Sequence, residues 1–133
     1  MTQYILLYLM TVPVFFIIDL LWLGVIANNF YQTKLGHLTG DVNWTAAIIF
    51  YLVYIIGILI FAVIPGIEAA SFQKAVIWGA LFGFFTYATY DMTNLATLNN
   101  WPTVVVIVDI IWGTVLSGSV AAVSYYIGQM WLF

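Results

Sequence analysis

Long apolar runs alternate with short polar stretches along the chain, and this pattern predicts the helices. A helix needs about 20 predominantly apolar residues to cross the hydrocarbon core of a bilayer. Four runs reach that length, at residues 4–27, 44–64, 75–98 and 103–127. The pattern therefore predicts an all-α, polytopic integral membrane protein, in which residues 1–133 form one compact bundle of four transmembrane helices with both termini on the same side.

The connections between the runs define two sides of the predicted bundle. We call the side that holds the termini side A and the opposite side B. The sequences NNFYQTKLGHLTGDVN and NNWP connect helices on side B, and PGIEAASFQ connects them on side A. Because NNWP is so short, the third and fourth helices must be antiparallel neighbours. Pro65 with Gly66 predicts the end of the second helix, and Pro102 predicts the start of the fourth.

Composition narrows the class of protein and its partners. The chain is 65% hydrophobic and only 5% charged, which is far from the average of soluble domains. Five acidic residues against two basic ones give a net charge of -3, and binding of nucleic acid requires a basic surface, so nucleic acid is excluded as a partner. The absence of cysteine excludes disulfides and thiolate metal sites.

Three aspartates lie inside predicted spans, where an ionisable side chain indicates a functional site. Asp19, Asp91 and Asp109 each lie roughly 10 to 14 Å from side B, when residues are counted at about 1.5 Å of rise. Three helices therefore deliver one carboxyl group each to one level. We predict that these three residues are the catalytic groups of one chamber that is reached from side B.

Aromatic and amide side chains extend the polar face around the aspartates. Tyr51 and Tyr54 lie on the second helix at the same level as the aspartates. The other predicted residues lie three or four residues along the chain from an aspartate, or directly beside one, and so share its helix face or level. The predicted substrate-binding residues are Trp22, Tyr51, Tyr54, Tyr87, Tyr90, Asn94 and Trp112. Large residues elsewhere predict a closed side A, namely Tyr8, Phe15, Phe16, Phe61 and Trp78.

Small residues recur at four-residue steps on the third and fourth helices and predict close packing. One column is Gly79, Gly83, Tyr87 and Asp91, and the other is Asp109, Gly113, Ser117 and Ala121. Since each column contains an aspartate, the packing should turn those carboxyl groups into the bundle. The same spacing is also what ordinary helix packing requires.

The sequence does not decide whether the site holds a metal ion or another cofactor. Carboxylates that lie close together without lysine or arginine must share protons or recruit a cation. A divalent cation such as Mg, Ca or Mn would be held by Asp19, Asp91 and Asp109, and His37 from the side B connection would make Zn an alternative. Nothing in the sequence indicates an organic cofactor.

The chain resembles the bacterial membrane-protein family known as domain of unknown function 2177. The resemblance covers nearly the whole chain through IDLLWLG, NFYQTKLGHL, FYLVYIIGILIFAV, GALFGFFTYATYDMTNLATLNNWP and VDIIWGT. It implies a small multi-pass protein of the bacterial inner (cytoplasmic) membrane but no activity. It draws attention to Asp19, Trp22, His37, Tyr51, Tyr54, Tyr90, Asp91, Thr93, Asn94, Trp101, Asp109 and Trp112.

Three classes of function fit these features. The first is a membrane enzyme or binding protein for a lipid, a lipid-derived molecule or a small cationic molecule, using acid/base or cation-assisted chemistry. The second is a proton-coupled transporter or cation-binding module, for which a homodimer is the expected form because four short helices enclose little pathway. The third is an assembly partner of a larger membrane complex. The lipid of the membrane is a partner in every case.

Overall fold

The computed structural model describes all 133 residues, and every regular element in it is a helix. The helices are α1 (Thr2–Ile26), α2 (Asn28–Leu35), α3 (Trp44–Glu68), α4 (Phe72–Thr97) and α5 (Thr103–Leu132). The predicted all-α class is confirmed. Three of the helices, α1, α3 and α5, are long and apolar enough to cross a membrane. The remaining long helix, α4, carries Tyr, Thr, Asn and Asp along its second half.

Local signals in the sequence fix where the helices begin. The Asn43 side chain accepts a hydrogen bond from the Ala46 amide at 3.1 Å, and the Ser71 hydroxyl accepts one from the Lys74 amide at 3.0 Å. Each bond satisfies one of the free amides of a first helical turn. Pro102 is the residue before α5, which confirms the predicted helix start.

The predicted end of the second helix at Pro65 is wrong, because α3 continues to Glu68. A proline crowds the preceding turn of a helix and donates no hydrogen bond. A wider π-helical turn over Leu59–Val63 ends two residues before Pro65 and accommodates this break in the bonding pattern. Gly66 serves close packing instead of helix termination, since a Cβ there would lie 2.6 Å from the Ala75 Cβ.

The predicted small-residue columns face each other between α4 and α5. A Cβ on Gly79 would lie 2.6 Å from the Ala121 Cβ, and a Cβ on Gly83 would lie 2.6 Å from the Ser117 Oγ. Both glycines therefore allow an approach that no other residue would permit. The two helices run antiparallel. Residues that come later in the α4 column therefore face residues that come earlier in the α5 column.

The same alignment continues to the polar end of the helix pair. A Cβ on Gly113 would collide with the Tyr87 ring, which shows that this ring packs flat against the α5 backbone. One step further, the carboxyl groups of Asp91 and Asp109 are neighbours. The close packing of small residues thus determines which two carboxyl groups meet.

A buried apolar cluster fills the part of the bundle that lies between the polar end and side A. Its fully buried members include Leu7, Phe15, Ile55, Ile58, Leu116 and Val120. The Ser124 hydroxyl donates to the Thr11 hydroxyl at 2.9 Å within this region and ties α5 to α1. The predicted closure by Phe61 and Trp78 is wrong, since these side chains are more than half exposed on the outer surface.

Candidate functional site

A cavity of about 410 Å³ opens at the end of the bundle that carries the side B connections. All five helices contribute to its wall, and the wall contains two carboxyl groups and five tyrosines but no lysine, arginine or histidine. Its polar and aromatic lining consists of Asp19, Tyr31, Tyr51, Tyr54, Thr86, Tyr87, Tyr90, Asp109 and Trp112. Its aliphatic and phenyl lining consists of Leu23, Leu35 and Phe50.

The Asp19 carboxyl lies on the α1 wall and is only 4% exposed. It accepts a hydrogen bond from the Trp112 Nε1 at 3.1 Å, and the Tyr51 hydroxyl lies beside it. A buried carboxylate needs such donors, because burial of an unpaired charge is costly. Asp19 is therefore held in place by a group from the opposite helix.

The Asp109 carboxyl lies on the α5 wall and accepts a hydrogen bond from the Tyr31 hydroxyl. The Tyr31 oxygen in turn accepts a bond from the Trp22 Nε1 at 3.2 Å. Burial, followed by the hydrogen bond to Asp109, raises the pKa of Tyr31 well above its usual value of 10.0, so the phenol remains a donor at neutral pH.

An aspartate is followed three residues later by a tryptophan in both α1 (Asp19 and Trp22) and α5 (Asp109 and Trp112), and these two Asp-x-x-Trp units are joined crosswise. Trp112 of one unit donates directly to Asp19 of the other, and Trp22 reaches Asp109 through the Tyr31 hydroxyl. The two indole rings stack with centroids 4.5 Å apart and an angle of 9° between their planes. The stack therefore fixes the two carboxyl groups relative to each other.

Asp91 occupies a different position from the other two aspartates. Its side chain is fully buried, does not line the cavity and has no hydrogen-bond partner on either carboxyl oxygen. Its neighbours are the Asp109 carboxyl and the Trp101 indole, whose Nε1 is also buried and without a partner. Asp91 is thus an uncompensated polar group directly behind the cavity wall.

Hydroxyl groups form the floor of the cavity. The Tyr54 hydroxyl lies 2.7 Å from the Ser117 Oγ and 3.1 Å from the Thr86 Oγ1. Thr86 donates to the Phe82 carbonyl of its own helix at 2.8 Å. This network satisfies the hydroxyl groups internally and leaves the carboxyl groups as the charged part of the cavity.

Comparison with known proteins gives a family but no activity. A family model described as "Predicted membrane protein (DUF2177)" matches residues 4–126. The chain belongs to this family. The resemblance inferred from the sequence is thereby confirmed, together with the general class of membrane protein. No curated protein and no solved structure matches the chain.

The predicted site residues of this family member fall into three groups. Seven of them line the cavity, namely Asp19, Asp109, Tyr51, Tyr54, Tyr87, Tyr90 and Trp112. Asp91 and Trp22 lie behind the wall and contact lining residues. Asn94 lies outside the cavity beside the Tyr90 hydroxyl, and His37 is exposed in the 36–43 connection. The roles assigned to these residues in catalysis and binding stay predictions.

The geometry does not favour a metal centre. No group of three or more His, Asp or Glu side chains is arranged to hold a metal ion. Asp19 and Asp109 each use an oxygen to accept a hydrogen bond from an aromatic side chain, and Asp91 lies outside the cavity. His37 is exposed and does not line the cavity. The residues present therefore do not fit the divalent-cation site that the sequence left open.

Sequence reasoning missed the contribution of α2. The polar stretch after residue 27 was predicted as a connection, yet Asn28–Leu35 is helical and places Tyr31 and Leu35 in the cavity wall. The signal was the pair of side chains four residues apart, which share one face of a helix. Thr86, Leu23 and Phe50 were also missed, because each lies in a stretch whose spacing equally suits contact with lipid.

Proposed function

We propose that this protein binds a small organic cation, such as one bearing a quaternary or protonated amine, in the cavity between Asp19 and Asp109. The observation that carries the proposal is the lining itself: two carboxyl groups and five tyrosines surround a space of about 410 Å³ that contains no basic side chain. A cation would supply the positive charge that the protein does not provide.

The aromatic lining supports an organic cation over a hydrated inorganic ion. Cations are attracted to the faces of Trp and Tyr rings, by about 2 kcal/mol or more where water is excluded. Trp112 and Tyr87 contribute such rings to the wall of the cavity that also contains the two carboxyl groups. Tyr rings also offer apolar surface to the alkyl substituents of an amine, which an inorganic ion lacks.

The mouth of the cavity supports a ligand with an apolar substituent. Phe50 and Tyr90 line the cavity and are more than half exposed on the outer surface of the bundle. Leu23 also lines the cavity and is partly exposed. A ligand dissolved in the membrane, or the amine of a lipid-derived molecule, would therefore leave its apolar part at this surface and its charge inside.

Acid–base modification of the ligand is a further step that the same two carboxyl groups support. They differ in their donors, an indole N–H for Asp19 and a phenol O–H for Asp109, and different surroundings separate the protonation behaviour of paired acids. Transport has less support, because the buried apolar cluster around Phe15 and Leu116 closes the bundle beyond the cavity.

We also propose that all four long helices cross the bacterial cytoplasmic membrane, with both termini on side A. The 26 residues of α4 extend about 39 Å, which exceeds the hydrocarbon thickness. The hydroxyl groups of Thr89 and Thr97 donate to carbonyls of their own helix and so reduce the cost of contact with lipid. The Tyr4 and Phe133 rings, whose centroids are 5.4 Å apart, support a common side for the termini.

Single cysteines in this naturally cysteine-free chain test the topology. We expect Ala69→Cys and Asn99→Cys, which lie just beyond the two ends of α4, to react with a membrane-impermeant thiol reagent from opposite sides of sealed vesicles. Thr2→Cys should react from the same side as Ala69→Cys. Labelling of positions 69 and 99 from one side would show that α4 does not cross the membrane.

Binding of choline tests the proposed ligand class. We expect choline to quench the tryptophan fluorescence of the protein in a saturable way, because Trp112 lines the cavity. The uncharged analogue 3,3-dimethylbutan-1-ol has the same shape and should bind about 30-fold more weakly, which corresponds to the loss of about 2 kcal/mol of cation attraction. Hexyltrimethylammonium should bind more tightly than tetramethylammonium if the mouth holds an apolar substituent.

Two tryptophan variants control for the origin of the signal. Trp112→Phe should remove most of the quenching, whereas Trp131→Phe should retain it, since Trp131 is 72% exposed near the C-terminus and does not line the cavity. Equal affinity for choline and its uncharged analogue would contradict the proposal. Quenching that survives in Trp112→Phe but disappears in Trp131→Phe would also contradict it, because the ligand would then bind away from the cavity.

A further inference from the structure

Asp91 is the one buried acid in the bundle that accepts no hydrogen bond. Both of its oxygens are without a hydrogen-bond partner although the side chain is fully buried. An ionised carboxylate in such a place bears a large desolvation cost. The neighbouring carboxyl group of Asp109 adds like-charge repulsion if both groups are ionised.

A proton on the carboxyl pair would supply a hydrogen bond that the structure does not otherwise give to Asp91. Ionised carboxylates only accept hydrogen bonds, but a protonated carboxyl group donates one through its O–H. Asp109 already accepts a bond from Tyr31 and is therefore the better ionised partner, which leaves the proton on Asp91. With one proton between them, the two carboxyl groups form a hydrogen bond and carry one negative charge together.

We propose that Asp91 and Asp109 hold one shared proton in the ligand-free site and that a bound organic cation releases it. This inference rests on the proposed function. The positive charge of the ligand favours ionisation of nearby acids. The O–H bond of Asp91 breaks, the proton passes to Asp109 and from there to water in the cavity, and the site exchanges one positive charge for another.

The remaining groups around Asp91 and Asp109 are compatible with this exchange. The titratable side chains that face the carboxyl pair are Asp19 from α1, Tyr31 from α2, and Tyr87 and Tyr90 from α4. Tyr51 from α3 lies beside Asp19. Asp19 already has its own donor in Trp112. The Trp101 Nε1, buried beside Asp91 without a partner, is a donor available to Asp91 once it is ionised.

Proton release can be counted directly in the parent protein. Choline is added to protein in a weakly buffered solution with a pH indicator dye, and we expect a release approaching one proton for each choline bound. The affinity for choline should rise with pH, by up to tenfold for each pH unit, wherever binding releases a full proton. The infrared band of a protonated carboxyl group should decrease on the same additions.

The variant Asp91→Asn assigns the proton to its residue. The asparagine amide donates to Asp109 as a protonated carboxyl group does, but it cannot release a proton. We expect this variant to bind choline with an affinity that no longer depends on pH and without proton release. Asp41→Asn removes an exposed acid from the 36–43 connection and should behave like the parent.

Each outcome decides between the two proposals or against both. Choline binding by the parent without proton release overturns the exchange and leaves the cation site intact. Proton release that persists in Asp91→Asn places the proton on another group and also overturns the exchange. Failure of the parent to bind choline overturns both. If Asp91→Asn does not fold, the proton count and the infrared band of the parent decide alone.

Discussion

Choline binding is expected to disappear when Asp19 and Asp109 are both replaced by asparagine. Removal of one partner from a buried pair of charges costs about 2 to 5 kcal/mol, so each single replacement should weaken binding about 30-fold or more. Asparagine is nearly the same size as aspartate and still accepts the bonds from Trp112 and Tyr31. The change therefore removes the charge and preserves the shape of the cavity. Fluorescence titration of the two single variants and the double variant measures the effect.

The matched control for these variants is Asp41→Asn. It changes the net charge by the same amount as each single variant, but Asp41 is exposed and does not line the cavity. Its affinity for choline should stay within about twofold of the parent, because exposed charges are screened by solvent and salt. A loss as large as that of Asp109→Asn would assign the attraction to general surface charge and would refute the cavity as the binding site.

Gly83→Ala is expected to be the most destabilising single-methyl change in the protein. A Cβ at this position would overlap the Gly113 carbonyl oxygen, which belongs to the backbone of α5 and cannot move aside as a side chain does. Overpacking of this kind typically costs about 1–3 kcal/mol, and the separation of α4 from α5 would also part Asp91 from Asp109. Thermal unfolding followed by circular dichroism in detergent measures the loss.

Two other glycines provide controls for that substitution. Gly118 lies in the same helix pair, but a Cβ there would meet Ala80 at an ordinary contact distance of 3.4 Å. Gly24 faces open space, and alanine is favoured over glycine inside a helix by roughly 0.5–1 kcal/mol. Both variants should melt close to the parent temperature or above it. If Gly83→Ala melts with them, the helices are not packed as closely as described.

The level of the polar site could be predicted because depth along a helix follows from counting residues. Asp19 and Asp109 were placed at one level by their distance from the polar connections, and they line one cavity. The facing columns of α4 and α5 were also readable, since small residues at four-residue steps indicate close contact. Counting therefore gave the two features that position the site.

The different positions of the three aspartates relative to the cavity could not be predicted from their depth alone. Asp91 lies at the same level, but its column faces α5, so its side chain is buried between the helices and not exposed to the cavity. Tyr31 was missed for another reason. The segment Asn28–Leu35 is too polar to predict a buried helix, and its position over the cavity depends on how it folds back from α1.

The alignment of α4 and α5 has a consequence for how the chain assembles in a membrane. Helices with small residues every four positions can slide by one turn and still pack small residue on small residue. Such a slide would place Asp91 opposite Gly113 or Val105, where it would have no carboxyl group as its neighbour. A single polar contact of this kind selects one alignment among competing ones, as a buried asparagine does in coiled coils. The contact between the Asp91 and Asp109 carboxyl groups would therefore favour one register of α4 against α5 as the chain enters the membrane.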